Sequence, residues 1–399
     1  MTASLSATEQ LNLLTRGTAQ VISEKELLEK LKRGQPLRAK LGVDPTSPDL
    51  HLGHSVVLEK LRQFQELGHD VTFLVGTYTS LIGDPSDQDK LRPQLTHEQV
   101  QQNARTYAEQ AYKVLDRDST LVRFNAEWLS ELTFEELIKL SSNFTLQQFL
   151  ERDNFRKRWE KGDPIYLHET FYAIMQGYDA YQLRADVQVG GSDQLFNIVT
   201  AARKLMPYLG VEPNVAIILG ILPGTDGEVK MSKSLGNHIP LLSKPEDMYG
   251  KVMSVPDKAM GQYFRLVTRW TPEEIKLLEN EIGSGEMHPR DAKMKLAHEI
   301  VSIFHSPEDA DRAQTAFIEV FQKGKLPEEI DEYRLTAGQS VLDVLVESEL
   351  VRSKSEGRRL IGQNGVRLDG ETLTDPNLEF PHPGILQVGK RKFLRVVED

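Results

Sequence analysis

The pattern of apolar and polar residues in the first half of the chain predicts strands joined by helices. The segment RAKLGVDPT, residues 38–46, is typical of a short strand that ends in a proline-containing turn. VVLEKLRQFQELG follows with apolar residues at helical spacing, and it ends at Gly68, a residue type common at helix C-termini. VTFLVG, residues 71–76, is typical of a second buried strand. A strand, a helix and a strand at this spacing predict a parallel β-α-β unit.

The same alternation resumes further along the chain. A helix is predicted over residues 169–184, followed by the strand-like DVQVGG, the helical LFNIVTAARKLMPYLG and the strand-like VAIILG. An earlier helix is predicted from the capping-box spacing of Ser23 and Glu26. This order predicts an α/β fold with a Rossmann-like, mostly parallel sheet covered by helices on both faces.

The pattern changes twice in the second half. No strand is predicted in the segment that follows Leu242, and residues 245–325 are predicted to form helices. A linker, KLPEEIDEYRLTAGQS, leads to a segment with two short helices and the short strands GVRLDG and KFLRV. We therefore expect a Rossmann-like α/β domain over residues 1–240, an α-helical domain over 241–330 and a small α+β module over 335–399.

Composition excludes several classes of protein. The chain of 399 residues contains no cysteine, which excludes disulfides, zinc-thiolate sites and thiol catalysis. No apolar run approaches the roughly 18 residues of a membrane span, and the N-terminus lacks the features of a secretory signal. We therefore expect a cytoplasmic protein with no membrane contact. The net charge of −11 argues against a protein that coats nucleic acid, but it leaves a local basic patch open.

Two histidines mark the segment DPTSPDLHLGH, which lies between the first strand and its helix. His51 and His54 are three residues apart, so both imidazoles face one side of the helix, and Gly53 leaves room for a flat ligand. Helix N-termini attract phosphates. A metal pair and a capped turn are the alternatives, although no third ligand stands at a suitable local spacing. The placement after a strand favours a nucleotide-binding site.

Polar side chains also follow two of the three other strands of the predicted sheet. Asp84 lies in VGTYTSLIGDPS, where a carboxylate suits an ammonium group better than a phosphate; an ordinary turn is the alternative. The strand QVGGSDQ ends in a glycine pair with polar neighbours. Its candidate residues are Gln188, Gly190, Gly191, Asp193 and Gln194.

A third group is predicted to line one face of a helix. Tyr172, Gln176 and Asp179 in YAIMQGYD stand at positions i, i+4 and i+7. Phenol, amide and carboxylate together suit a ligand that carries both an amino group and a hydroxyl. The alternative is a solvated polar face.

Two lysines lie beyond the last predicted strand, in DGEVKMSKSLGNHIP. Lys230 and Lys233 would be on the same edge of the sheet as the glycine-rich loops, where flexible cations can neutralise a triphosphate. Taken alone, this segment would read as a solvated loop.

Taken together, HLGH and KMSKS resemble the two signatures of class I aminoacyl-tRNA synthetases. GVDPTSPDLHLGH, LIGDPS, YAIMQGYD, VGGSDQ and KMSKSLGN follow the order seen in bacterial tyrosyl-tRNA synthetases, and the resemblance runs from about residue 10 to the end. It implies activation of L-tyrosine by ATP with accompanying Mg²⁺, transfer to tRNA(Tyr), and a homodimer. The alternatives are a tryptophanyl-tRNA synthetase and a catalytically silent RNA-binding regulator on the same scaffold.

The resemblance also implies a role for each matching residue. Thr46, His51 and His54 would contact the ATP phosphates, and Gly53 would underlie the adenine. Asp44 and Gly42 would lie along the adenylate, and Gly191 and Asp193 at the ribose. Asp84, Tyr172 and Gln176 would hold the tyrosine ammonium, Asp179 the phenol hydroxyl, and Gln188 and Gln194 the other polar groups of the amino acid. Lys230, Lys233 and Ser234 would form the mobile loop. No residue is expected to hold a resident metal.

One position departs from the family pattern. Many members have a tyrosine that helps the aspartate bind the substrate hydroxyl, and Lys40 stands there instead, as in a second bacterial subtype. A lysine cannot reproduce the contact of a phenol. We therefore expect discrimination of the hydroxyl to depend mainly on Asp179 and little on Lys40.

The C-terminal module resembles a small RNA-binding module of a ribosomal small-subunit protein. The segment from Val351 to Arg367 holds five basic residues and one acidic residue, which favours phosphate contacts over an ordinary solvated surface. The candidate RNA contacts are Arg352, Lys354, Arg358, Arg359, Arg367, Lys390, Arg391 and Lys392.

Overall fold

A computed structural model describes residues 5–46, 49–86, 96–233, 235–321, 330–336, 338–351, 353–389 and 392–398. The chain divides into two compact units, Met1–Ala310 and Asp311–Asp399. The predicted division of the chain at residue 240 stays a prediction. The helices that follow that residue, up to Phe304, belong to the first unit.

A twisted sheet forms the centre of the first unit. Its strands within the described residues are β1 (Gln20–Ile22), β2 (Arg38–Val43), β3 (Asp70–Val75), β4 (Thr120–Phe124), β5 (Val187–Gly191) and β6 (Val215–Leu219). The strand order is β1-β6-β5-β2-β3-β4. All neighbours are parallel except β1, which runs antiparallel to β6. The predicted parallel sheet is confirmed.

Helices connect these strands and cover the sheet. They are α1 (Ala7–Thr15), α2 (Glu24–Leu31), α3 (Leu52–Glu66), α4 (His97–Ala111), α5 (Ala126–Leu129), α6 (Phe134–Ser141), α7 (Leu146–Leu150), α8 (Asp153–Lys161), α9 (Leu167–Gln182) and α10 (Arg203–Tyr208). Ser23 caps α2 as predicted, and Gly68 has the left-handed backbone (φ +81°) that ends α3. The segment before α10, Phe196–Ala202, is a π-helix rather than the predicted α-helix.

The helical region after residue 242 is also confirmed. It contains α11 (Pro245–Met253), α12 (Met260–Val267), α13 (Pro272–Ser284), α14 (Pro289–Phe304) and α15 (Pro307–Phe321). Their apolar faces are buried, for example at Tyr263, Phe264 and Leu296. Helices in this region begin at prolines because the first helical turn needs no amide hydrogen-bond donor there.

The second unit has its own sheet and core. Its described elements are β7 (Asp331–Leu335), α16 (Val341–Glu347), α17 (Lys354–Gly362), β8 (Val366–Leu368), β9 (Glu371–Thr372), β10 (Gly384–Val388) and β11 (Lys392–Glu398), with strand order β7-β11-β10-β8-β9. Apolar residues from both helices and from the strands form one core cluster, which includes Val344, Ile361 and Leu386. The predicted helices and strands are confirmed.

Candidate active site

The predicted site residues gather at one edge of the larger sheet. β2 lies between β3 and β5 in the sheet. The strands that follow β2 in the chain, β3 and β4, lie on one side of it, and the later strands β5 and β6 lie on the other side, so the order of the strands reverses next to β2. Ligands bind outside the carboxyl ends of parallel strands at such a point. Asp44 follows β2, Asp84 follows β3, and Asp193 follows β5. The fold therefore brings the three strand ends into one crevice.

His51 and His54 lie against each other at the start of α3, with their ring planes tilted by 46°. The Nδ1 atom of His51 accepts a hydrogen bond from the Gly53 amide, and that of His54 accepts one from the His51 amide, both at 3.2 Å. The ring centroids lie 4.0 Å apart. Because each Nδ1 accepts a hydrogen bond, the proton of each neutral ring is on Nε2, which is then a donor. A side chain on Gly53 would come within 3.0 Å of the His51 ring.

Burial keeps both histidines neutral. It lowers the pKa of His54 to about 4, with a further contribution from Lys230, and it lowers the pKa of His51 well below 6.5. The pair therefore presents uncharged N–H donors at neutral pH, which suits phosphate oxygens.

Two side-chain amides that the sequence did not single out hold this segment in place, one buried (Gln110) and one partly buried (Asn103). The Gln110 side-chain oxygen accepts a hydrogen bond from the Leu50 amide at 2.7 Å, and the Asn103 side chain donates to the Pro45 carbonyl at 2.9 Å. Both residues lie on α4, far from the motif in sequence, so no local spacing could have revealed them. Backbone hydrogen bonds from Leu52 to Ile239 and from Leu241 to Leu50 join the segment to the chain that follows the lysine loop.

Each lysine of the KMSKS loop is paired with a carboxylate. Lys230 forms an ion pair with Asp193, and Lys233 lies 2.6 Å from Asp49. Asn237, another residue that the sequence did not reveal, accepts a hydrogen bond from the Ser232 amide at 2.8 Å and donates to Asp226. Met231 is buried and anchors the loop. Ser234 lies outside the described residues.

A chain of hydrogen bonds joins the end of β2 to the middle of α9. The Asp44 carboxylate accepts from the Tyr172 hydroxyl at 2.9 Å and from the Thr79 hydroxyl at 2.7 Å. Asn125 donates to the Thr79 hydroxyl at 3.0 Å and to Asp179 at 3.2 Å. On the predicted polar face of α9, Tyr172 and Asp179 are thus buried and Gln176 is partly buried, so the face is not a solvated surface.

Asp179 is the most deeply placed carboxylate of this network. It accepts a hydrogen bond from the Trp128 indole at 2.7 Å in addition to the one from Asn125. Burial raises its pKa, while the charge of Lys40 acts in the opposite direction. Asn125 and Trp128 were not predicted, because only the tertiary fold brings them next to α9.

Asp84 and Gln194 are in direct contact. The Gln194 amide donates to one oxygen of Asp84, and the other oxygen accepts from the Ser86 amide at 2.9 Å and hydroxyl at 2.7 Å. Arg152, the residue immediately before α8, donates to the Ser86 hydroxyl at 2.8 Å. The structure therefore gives Asp84 more partners than an ordinary turn would provide.

Two glutamines carry buried oxygens with no hydrogen-bond partner among the described residues. These are Gln176 on α9 and Gln188 on β5. A buried acceptor without a hydrogen bond lowers the stability of the fold. Such an atom is therefore expected where a bound ligand donates the missing hydrogen bond. Both residues are among those predicted to contact the amino acid.

The remaining predicted positions have simpler surroundings. Thr46 follows Asp44, and its amide donates to the Asp44 carbonyl. A side chain on Gly42 would meet only Leu74, at an ordinary distance, whereas one on Gly191 would collide with the Asp193 carboxylate. A side chain on Gly190 would collide with Ile198. Close packing therefore requires the glycine pair that ends β5.

The candidate RNA contacts of the C-terminal module differ in whether their side chains have hydrogen-bond or ion-pair partners. Arg358, Arg359 and Arg367 are exposed. Lys354 pairs with Asp343 at 2.9 Å, and the Lys392 ammonium donates to the Leu350 carbonyl. Arg352, Lys390 and Arg391 lie outside the described residues.

The profile of the family described as tRNA synthetases class I (W and Y) matches residues 32–322. The chain belongs to this family. A second profile, that of the S4 domain, matches residues 341–380. The match to the first family covers every residue discussed above at the edge of the larger sheet.

Curated relatives agree with this assignment. The tyrosine–tRNA ligase of Moorella thermoacetica is 48% identical over 394 residues, which cover 97% of this chain and 95% of that protein. The tyrosine–tRNA ligase of Thermotoga maritima is 47% identical over 390 residues, covering 97% of both chains. A Vibrio cholerae protein named tyrosine–tRNA ligase 2 is 47% identical over 385 residues, with 96% and 97% covered.

Solved structures share the fold. Tyrosyl-tRNA synthetase from Archaeoglobus fulgidus, complexed with L-tyrosine, aligns with a TM-score of 0.62 at 24% identity over 77% of this chain and 99% of that chain. A truncated mitochondrial tyrosyl-tRNA synthetase from Aspergillus nidulans aligns with a TM-score of 0.63 at 24% identity over 79% and 94%.

Proposed function

We propose that the chain is a tyrosine–tRNA ligase, which activates L-tyrosine with ATP and then esterifies tRNA(Tyr). The main support from geometry is the hydrogen-bonded chain that ends in the buried Asp179, together with the buried oxygens of Gln176 and Gln188, which have no hydrogen-bond partner among the described residues. A pocket with this donor and acceptor set suits an amino acid with a hydroxyl at its far end. Relatives named tyrosine–tRNA ligase, 47–48% identical over nearly the whole chain, support the same substrate over tryptophan.

The first step needs positioning and charge neutralisation more than acid–base chemistry. A carboxylate oxygen of tyrosine attacks the α-phosphorus, the new O–P bond forms, and the bond to pyrophosphate breaks. Thr46 and the Nε2–H groups of His51 and His54 donate to phosphate oxygens. Lys230 and Lys233 leave their carboxylate partners and stabilise the negative charge that develops on pyrophosphate.

The other proposed roles are those that the resemblance to the family implies. Asp84, Tyr172 and Gln176 surround the ammonium of tyrosine, and Asp179 accepts the phenol hydrogen. Gln188 and Gln194 bind the remaining polar groups of the amino acid. Gly42, Asp44 and Gly53 lie along the adenylate, Ser234 belongs to the loop, and Gly191 and Asp193 face the ribose. Since Lys230 now pairs with Asp193, ribose binding and loop rearrangement are coupled.

Mg²⁺ enters as part of the ATP substrate. Magnesium bound with nucleotides keeps several waters and is held largely by phosphate oxygens. In the part of the chain that the structure describes, no group of three or more histidine, aspartate or glutamate side chains is arranged to hold a metal ion.

The second step transfers tyrosine to tRNA. A ribose hydroxyl at the end of tRNA(Tyr) attacks the carbonyl of the adenylate, an ester forms, and AMP leaves. The S4 module, with Arg358, Arg359 and Arg367 exposed, supports RNA binding by the C-terminal segment. The α-helical region over residues 241–330 is the proposed anticodon-side domain. The proposed site of this reaction is the cytoplasm, and no described helix has the length and apolarity that crossing a bilayer requires.

A homodimer is part of the proposal. Large apolar side chains are exposed in the connection between β4 and β5, among them Phe134 (77%), Leu167 (70%) and Trp159 (67%). Several exposed apolar side chains within one segment of the chain are consistent with a protein interface. Sedimentation of the purified chain tests this part of the proposal, with a dimer expected.

Amino-acid-dependent exchange between ATP and pyrophosphate tests the activity. Exchange is expected with tyrosine, and not with tryptophan or without an amino acid. Exchange that depends on tryptophan would replace the assignment with a tryptophanyl-tRNA synthetase. A lack of exchange with RNA binding retained would favour the catalytically silent regulator.

A further inference from the structure

Arg152 is a buried cation beside the turn that carries Asp84. It is 6% exposed, and its guanidinium lies 5.1 and 4.7 Å from the ring centroids of Phe155 and Phe196. One terminal nitrogen donates to the Ser86 hydroxyl at 2.8 Å, and the other is buried with no hydrogen-bond partner among the described residues. Burial lowers the pKa of Arg152, while the charge of Asp84 acts in the opposite direction. A buried cation is costly, so a fold retains it only where other groups compensate.

Arg158, on the helix that follows, shows the more usual arrangement. It is 2% exposed, and its guanidinium forms an ion pair with the buried carboxylate of Glu169 at 2.6 Å. Its charge is therefore neutralised by direct contact. Arg152 instead reaches the carboxylate of Asp84 through a hydroxyl.

Ser86 belongs to a closed ring of four polar side chains. Its hydroxyl accepts a hydrogen bond from the Asn197 amide at 3.3 Å, in addition to the one from Arg152. Asn197 also donates to the Gln194 oxygen at 3.1 Å, and Gln194 donates to Asp84. The ring closes where the Ser86 hydroxyl donates to Asp84 at 2.7 Å. Arg152 enters this ring at the hydroxyl.

The two donors around the Ser86 hydroxyl fix the direction of its hydrogen. A hydroxyl has one hydrogen and two lone pairs, and a guanidinium can only donate. Because Arg152 and the Asn197 amide occupy the lone pairs, the hydrogen points to Asp84. One oxygen of Asp84 thus accepts from Ser86, and the other accepts from Gln194. The carboxylate is held as an acceptor at both oxygens, which is the form that attracts an ammonium.

The π-helix contributes to the same cluster. Phe196 and Asn197 are its first two residues, and Asn197 is completely buried. One supplies a ring beside the Arg152 guanidinium, and the other supplies the second donor to Ser86. π-helical turns are frequent at functional sites. The irregular helix therefore brings both residues to the arginine.

We propose that Arg152 positions the Asp84 carboxylate for the ammonium of the amino acid by acting through the Ser86 hydroxyl. This inference rests on the proposed function, in which Asp84 binds that ammonium. Arg152 is a positioning residue and does not itself contact the substrate. The competing role is direct binding of the substrate carboxylate by the second terminal nitrogen of the guanidinium.

Equilibrium binding of three ligands distinguishes the two roles. Tyrosine carries an ammonium and a carboxylate, tyramine only the ammonium, and 3-(4-hydroxyphenyl)propionate only the carboxylate. Arg152→Met is expected to weaken binding of tyrosine and tyramine by about 10-fold or more, the size of one hydrogen bond to a charged group. Binding of the propionate is not expected to weaken. The control is Arg156→Met, which removes an exposed arginine of α8 and is expected to leave all three affinities unchanged.

A double-mutant cycle tests the route through the hydroxyl. Ser86→Ala is expected to weaken the same two ligands as Arg152→Met. Because both changes break one route, the double variant is expected to lose no more tyramine affinity than the more damaging single variant. Additive losses would contradict action through Ser86. Arg152→Lys keeps a charged donor and is expected to recover part of the affinity. If Arg152→Met does not fold, Ser86→Ala still decides by the same comparison of ligands.

A loss for tyrosine with tyramine unchanged would overturn the proposal and favour direct contact with the substrate carboxylate. Losses of equal size for all three ligands would overturn it as well, because they would mean a structural role only. Unchanged binding of tyrosine and tyramine in Arg152→Met would do the same. Absence of tyrosine binding and of tyrosine-dependent exchange in the wild-type chain would instead refute the proposed function.

Discussion

Lys233 and Asp49 form an ion pair of 2.6 Å between the KMSKS loop and the segment that leads into the histidine motif. Both side chains are about one-third exposed. The pair keeps the lysine close to the site, but its ammonium must leave Asp49 before it can reach a phosphate. The carboxylate therefore competes with ATP for the same cation.

Asp49→Asn is expected to lower KM for ATP by up to about 5-fold, since a partly exposed ion pair contributes at most about 1 kcal/mol. The measurement is pyrophosphate exchange at varied ATP. The matched control is Glu135→Gln, which breaks the exposed pair with Lys139 on α6, also 2.6 Å long, and leaves KM unchanged. A rise in KM for ATP in Asp49→Asn would show that the carboxylate assists ATP binding instead.

Removing either loop lysine is expected to slow the chemical step. Lys230→Ala and Lys233→Ala are each expected to reduce the rate of adenylate formation by about 10²-fold or more, as the loss of a transition-state contact does. Tyrosine affinity is expected to change little, because neither lysine lies at the amino-acid end. Rapid-quench kinetics and equilibrium tyrosine binding measure the two quantities. If affinity falls as much as the rate, the loop has a structural role.

Neutral histidines make stability depend on pH. His54 has a pKa of about 4 in the folded chain and an ordinary value of 6.5 when unfolded, so between these values the unfolded state binds more protons. The free energy of unfolding is therefore expected to fall as pH is lowered through this window, by up to about 1.4 kcal/mol per pH unit for this group. His54→Gln should flatten the slope measured by urea unfolding, whereas His97→Gln, at an exposed position on α4, should not. Equal slopes in His54→Gln and the wild-type chain would contradict burial of a neutral imidazole.

The exposed arginines of the S4 module are expected to affect tRNA and not tyrosine activation. Arg358→Ala, Arg359→Ala and Arg367→Ala combined are expected to weaken tRNA binding and to reduce its salt dependence by roughly 0.7–0.9 in log–log slope per lost phosphate contact. Pyrophosphate exchange should be unchanged. Lys276→Ala, an exposed position on α13, serves as the control. Normal charging by the triple variant would remove these residues from the RNA-binding surface.

Regular patterns in the sequence predicted the main elements of the fold. The β2-α3-β3 unit was predictable because its strands are buried and its helix has one apolar face. β1 and β4 were missed because they are short, only partly buried and lie at the two edges of the sheet. The π-helix at Phe196–Ala202 was missed because its apolar pattern does not differ from that of an α-helix.

The site was predictable to the extent that its residues lie in local motifs. Asp84 and Gln194 were both candidates, but their direct contact depends on the order of the strands. Gln110 and Asn125 carry no local signal, since an isolated amide in a helix or loop looks like any surface residue. Lys40 was recognised as unusual, but only the packing around it shows that its ammonium has no hydrogen-bond partner among the described residues.

The preference for tyrosine over phenylalanine in Asp179→Asn tests the central claim most directly, because the whole site is oriented around this buried carboxylate. Each kcat/KM is measured in pyrophosphate exchange, with Asp186→Asn as a control for loss of a carboxylate that pairs with Arg38 and Lys30 away from the site. In Asp179→Asn, the ratio of kcat/KM for tyrosine to that for phenylalanine is expected to fall by about 10- to 100-fold or more, because a charge-assisted hydrogen bond to the phenol is lost. Asp186→Asn is expected to keep the wild-type ratio. An Asp179→Asn enzyme that still rejects phenylalanine as the wild-type chain does would contradict the account.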